Sequence, residues 1–188
     1  MLGLVRDQVL AAYFGAGNAM DAFNVAFKIP NLVRDLFAEG AMSAAFVPTF
    51  TRTLTAEGKA RAWRLGNNVI TAIAIITGVL VLLGMVFAEP LVRALAGGFA
   101  EVPGKLELTV FLTRIMLPFL TLVAVAAALM GMLNSLHRFF VPALSPAMFN
   151  VATIACAVLL VPLMPRAALP GITAIAIGTI LGGPAQLS

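Results

Sequence analysis

The chain has 188 residues, 61% of them hydrophobic and 11% charged, with mean hydropathy +1.03 and a formal net charge of +4. Soluble domains carry about 25% charged residues, and a water-soluble fold of this composition would expose large apolar patches, so the composition indicates an all-α, polytopic transmembrane helix bundle. The apolar runs are too long and continuous for a transmembrane barrel, and the basic residues punctuate them without forming one face with interleaved aromatics, which argues against a nucleic-acid partner.

The first apolar stretch, residues 1–14, ends at the Gly15-Ala16-Gly17 turn. It has no basic start, apolar core and small-residue cleavage site in succession, so it does not read as a signal peptide. A span needs about twenty residues. This stretch is therefore expected to be a truncated helix with Arg6 and Asp7 at mid-membrane depth, the natural chain starting further upstream.

Residues 20–50, MDAFNVAFKIPNLVRDLFAEGAMSAAFVPTF, carry the densest polar pattern. Wound at about 100° per residue, they place Asp21, Asn24, Lys28, Asn31, Asp35 and Glu39 within an arc of roughly 80°, with Arg34 about 60° beyond one edge. Phe23, Ala26, Val33 and Phe37 take the opposite side. A charge at the centre of a membrane helix costs about 2.5–3.5 kcal/mol on insertion scales, so it faces protein or a water-filled cavity. The stretch is expected to be a transmembrane helix, kinked at Pro30, that walls a polar cavity.

Thr51 to Arg64 sets Arg52, Lys59, Arg61 and Arg64 against Glu57. It reads as a cytoplasmic polar loop by the positive-inside rule, with Trp63 at the interface. A charge-free span is expected at 68–88. Glu89 to Glu107 reads as an outer segment of nearly balanced charge, with a short interfacial helix in PLVRALAGGF. The next span, 108–133, carries Arg114 and Pro118 near its outer end. Asn134 to Arg138 forms an inner loop. Another span follows at 145–164, with Ser145-Pro146 as N-cap and first helical position. After an outer turn at 165–170, the run 170–188 is again too short to cross and reads as a second truncated helix. Residues 1–188 thus form one transmembrane domain.

No hydrolytic constellation is visible. His137, the single histidine, reads as a loop residue, and the single Cys156 as a small packing residue that excludes an intrachain disulfide. There is no His/Cys cluster and no P-loop, and the Gly-x-Gly of FGAGNAM follows no strand, so no catalytic residue, metal or cofactor is expected. The cations carry more information. Arg6, Lys28 and Arg34 would share one cavity if the first two helices form a hairpin. Guanidinium binds phosphate in a bidentate fashion, so this set suits an anionic substrate such as a phosphate or pyrophosphate. Two bland alternatives stand beside it: Arg6 pairs with Asp7 or Asp21, and the acids Asp21, Asp35 and Glu39 pair with Lys28 or Arg34. A proton relay through those acids is a third.

DAFNVAFKIPNLVRDLFAEGAMSAAFVPTF closely resembles the signature of the MurJ/MviN family of lipid II flippases. LGLVRDQVLAAYFGAG and GMLNSLHRFFVPALSPAMFNVA agree with it, and the resemblance runs in order along essentially the whole chain. It implies a fourteen-helix, two-lobed fold of the multidrug/oligosaccharidyl-lipid/polysaccharide exporter superfamily, of which this chain is part of the N-terminal lobe. It implies a transporter and no enzyme. The substrate would be lipid II, the lipid-linked disaccharide-peptide precursor of peptidoglycan, moved to the outer leaflet of the bacterial cytoplasmic membrane. Membrane lipids and the missing C-terminal helices are the other implied partners. Arg6, Asp21 and Arg34 match the family's functional positions one by one; a further family arginine would precede Met1. With Lys28, Asn31 and Glu39 from the polar face of the second helix, they make up the expected substrate-binding set. The rival readings are a cation-coupled exporter of the same superfamily, which would want cavity acids and few arginines, and an inactive truncated fragment.

Overall fold

The computed structural model describes residues 2–15, 17–35, 45–138, 140–167 and 169–185, and side chains for all of these but 33–35, 142, 165–167 and 185. Every regular element among them is helical. They are α1 (Leu2–Phe14), α2 (Asn18–Asp35), α3 (Val47–Ala56), α4 (Lys59–Val86), α5 (Ala88–Leu95), α6 (Lys105–Met116), α7 (Pro118–Ser135), α8 (Phe140–Leu160) and α9 (Thr173–Ala185). Short 3₁₀ segments cover Gly97–Glu101 and Val161–Ala167.

Three described segments are long and apolar enough to cross a bilayer: Lys59–Val86, Lys105–Ser135 and Ala143–Met164. α4 shows how a membrane helix inverts the soluble pattern. Ile75, Ile76, Val79, Leu82, Leu83 and Val86 are exposed, the surface a lipid tail would cover. Its buried stripe is smaller: Gly66, Ile73, Thr77, Val81 and Gly84. Thr77 donates its hydroxyl to Ile73 O at 2.6 Å, so no polar group is left over in that stripe. The glycines allow close approach: a Cβ on Gly66 would lie 2.6 Å from Met132 Cε of α7, and one on Gly84 3.1 Å from Leu117 Cδ1.

α6 and α7 form one span with a joint at Leu117-Pro118, where proline supplies no amide hydrogen. Around this span the buried residues fall into three clusters. Leu10, Phe23, Ala26, Met116 and Ile175 bring α1, α2, α6 and α9 together. Ile29, Val81, Val92 and Leu117 join α2, α4, α5 and the α6–α7 joint. Phe46, Phe50, Ile73 and Met132 seal α3, α4 and α7.

Two local expectations are corrected. Residues 51–64 are not a loop: α3 runs to Ala56 and α4 begins at Lys59, with the reversal confined to Glu57 and Gly58. Gly58 has φ 84°, which only glycine adopts freely. The basic residues do not break the helices, because Arg and Lys are good helix formers. Likewise Ser145-Pro146 does not start a helix but lies inside α8. Pro146 lacks the amide hydrogen that would meet the carbonyl one turn earlier; on its other side Asn150 Nδ2 donates to the Pro146 carbonyl at 2.7 Å. PLVRALAGGF does contain the expected short helix, α5, stapled by Arg93 to Glu89 at 2.9 Å.

Candidate functional site

The Gly15 turn, at φ 56°, sends α1 and α2 in different directions. α1 packs chiefly on α8, and α2 on α6. A cleft lies between the two helices.

The cleft has two recesses that share Arg6, Phe27 and Phe149. The narrower, about 80 Å³, adds Asp7, Asn24 and Thr153 among its lining groups. The wider, about 290 Å³, adds Asn31, Ser145, Pro146 and Asn150. Tilted ring contacts stiffen the wall: Phe27 and Phe149 lie 6.1 and 5.8 Å from Phe119 between centroids.

Arg6 supplies the charge. Its side chain is 25% exposed, and its Nε and Nη2 both donate to one oxygen of Asp7, at 3.0 and 2.8 Å. That fixes one edge of the guanidinium and leaves Nη1 without a partner among the described residues. Asn31 and Asn150 each bury a carbonyl oxygen that accepts no hydrogen bond. The Asn150 amide is oriented by its bond to Pro146 O, so its idle atom is the acceptor. A cleft with one cationic fork, amide side chains and aromatic walls suits a ligand that is anionic at one point and polar beside it.

The structure therefore brings Arg6 and Asn31 together and settles the pairing of Arg6 on Asp7, one of the two alternatives. Lys28 is exposed on α2, outside both recesses, and makes no ion pair with a described residue. Asp21 starts the same helix but accepts from Lys105 Nζ at 2.7 Å, away from Arg6. The side chains of Arg34 and Asp35 lie outside the described residues, and so does Glu39 entirely.

Two residues escaped the sequence reading. Lys105 falls by its sequence context in the outer segment, yet it begins α6 and is buried. Asn150 is an amide inside the apolar run of α8, and that is itself a signal, since polar groups in spans are expensive.

Comparison with known proteins gives a consistent result. Residues 10–188 match the family described as "Lipid II flippase MurJ". The chain is 40% identical over 157 residues to the "Probable lipid II flippase MurJ" of Rhizobium meliloti (strain 1021), covering 82% of this chain and 29% of that protein. It is 39% identical over 160 residues to the "Lipid II flippase MurJ" of Burkholderia cenocepacia, covering 85% and 31%. A solved structure, "Lipid II flippase MurJ, inward closed conformation", superposes with TM-score 0.80 at 29% identity, covering 98% of this chain and 37% of that one. The chain thus spans about a third of the length of the relatives it matches.

Proposed function

The chain belongs to the lipid II flippase MurJ family, and from that premise we propose that it forms a headgroup-facing part of a flippase for the lipid-linked peptidoglycan precursor. The transporter works in the bacterial cytoplasmic membrane and moves the precursor from the inner to the outer leaflet. The remaining helices supply the opposite lobe, and rocking of the two lobes exposes the cavity to one side at a time. No bond is made or broken, so the protein acts as a carrier and not as an enzyme.

The observation that carries this reading is the Arg6 guanidinium, three-quarters buried in the α1–α2–α8 cleft with one edge committed to Asp7. In a low-dielectric cleft the remaining donors attract the pyrophosphate strongly. The Asn31 and Asn150 amides line the wider recess and meet the polar groups beside the phosphate. The polyprenyl tail stays in the bilayer. Lys28 and Arg34 add positive charge along α2.

The test is Arg34→Ala in a flippase carrying this segment. Transport is expected to vanish with the protein still inserted. Normal growth of cells with that variant as their sole flippase would sink the assignment. Arg34→Lys retains part of the activity if the phosphate is met as a point charge, and none if a bidentate fork is needed.

A further inference from the structure

Lys105 occupies a position that local physics disfavours twice. It is the first residue of α6, where the helix dipole repels a cation, and its side chain is only 9% exposed. Gly104, at φ 76°, turns the chain into this position. Two contacts offset the cost. Lys105 Nζ lies 2.7 Å from Asp21 Oδ2, and it sits 4.1 Å from the centroid of the Phe99 ring. Asp21 is in the first turn of α2, where the dipole favours an acid, and its side chain is 51% exposed. The pair joins segments 84 residues apart.

We propose that Lys105 is a positioning residue, whose ion pair with Asp21 fastens the start of α2 to the start of α6 and thereby holds the cleft face of α2 opposite Arg6. Asp21 then serves transport through Lys105 and not by touching the headgroup. The consequence for the cleft rests on the flippase reading above; the clip itself does not.

The unequal burial of the two partners makes the pair testable. Asp21→Asn strands a buried ammonium with no counter-charge. Lys105→Met leaves an acid that water can reach. Removing both charges removes the stranded cation, and replacing both partners of a buried pair is often nearly neutral. The variants Asp21→Asn, Lys105→Met and the double substitution are compared in a flippase carrying this segment. The readouts are the rate at which precursor reaches the outer leaflet, divided by the amount of inserted protein, and the Tm of the purified protein. The clip predicts that both single variants lose transport, about tenfold for Asp21→Asn, which also strands a buried cation, and at least about threefold for Lys105→Met, and that the double variant loses no more than the worse single one, because both act through one contact. Tm should fall most for Asp21→Asn. Lys105→Met equal to wild type in transport, or a double variant whose losses multiply, overturns the proposal. If Tm recovers in the double variant while the wild type itself moves no lipid II, the cargo assignment fails and the clip stands.

Discussion

Arg6 stands one residue before its own counterion, and the geometry of that pair decides what a ligand can use. Asp7 takes Nε and Nη2 through a single oxygen and is itself 60% exposed. Exposed pairs contribute at most about 1 kcal/mol, so Asp7 orients the guanidinium without satisfying it. A pyrophosphate in a drier setting gains more, about 1.5–3 kcal/mol per charged hydrogen bond. Arg6→Lys keeps the charge and loses the fork, so it should retain more precursor binding than Arg6→Ala. At Asn150 the prediction concerns neutral groups. Asn150→Leu removes an amide from the wall of the wider recess, and it should weaken binding of the sugar-bearing precursor about tenfold. Binding of bare polyprenyl pyrophosphate should stay unchanged. Both are measured with purified protein in detergent; equal losses for the two lipids would mean that Asn150 only packs.

Helix contacts here depend on small residues where two backbones meet. α8 and α9 make the closest pairing, at Gly178 and Gly182. A Cβ on Gly178 would stand 2.8 Å from Cys156 Cβ and 3.4 Å from Thr153 Cα, neither of which can swing away. Gly178→Val should therefore destabilise the protein by about 1–3 kcal/mol, seen as a lower Tm. Gly78 provides the control. Nothing lies within 4 Å of a Cβ there, so Gly78→Ala should be neutral or gain up to about 1 kcal/mol from helix propensity. The existence of these elements was legible from hydropathy, because a bilayer demands long apolar helices. Their joints were not. Basic residues at 51–64 report which side of the membrane they occupy and say nothing of whether the chain is helical there. Ser145-Pro146 carries the local signature of a helix start, which the helix overrides by beginning at Phe140.

At the scale of the molecule, the α3–α4 turn and the α5–α6 connection should lie on opposite sides of the membrane, because α4 spans between them. In a Cys156→Ala background, an impermeant thiol reagent added to intact cells should label Glu101→Cys. It should reach Glu57→Cys only after permeabilisation; the reverse pattern would invert the topology. The cleft was partly readable in advance. The polar arc on α2 identified Asn31, and the family resemblance identified Arg6. What a single helical wheel cannot show is which helix each residue meets. Asp21 and Asn31 share a face by periodicity, yet Asp21 meets Lys105 while Asn31 looks into the α1–α8 cleft. That split follows from α2 packing along α6 while α1 leans on α8. The most direct test of the whole account uses cells that depend on a flippase carrying this segment, with an external enzyme that cleaves precursor headgroups reaching the outer leaflet. Arg6→Ala should cut the cleaved fraction at least about tenfold at equal protein level. An unchanged fraction would contradict the claim that this cleft holds the headgroup.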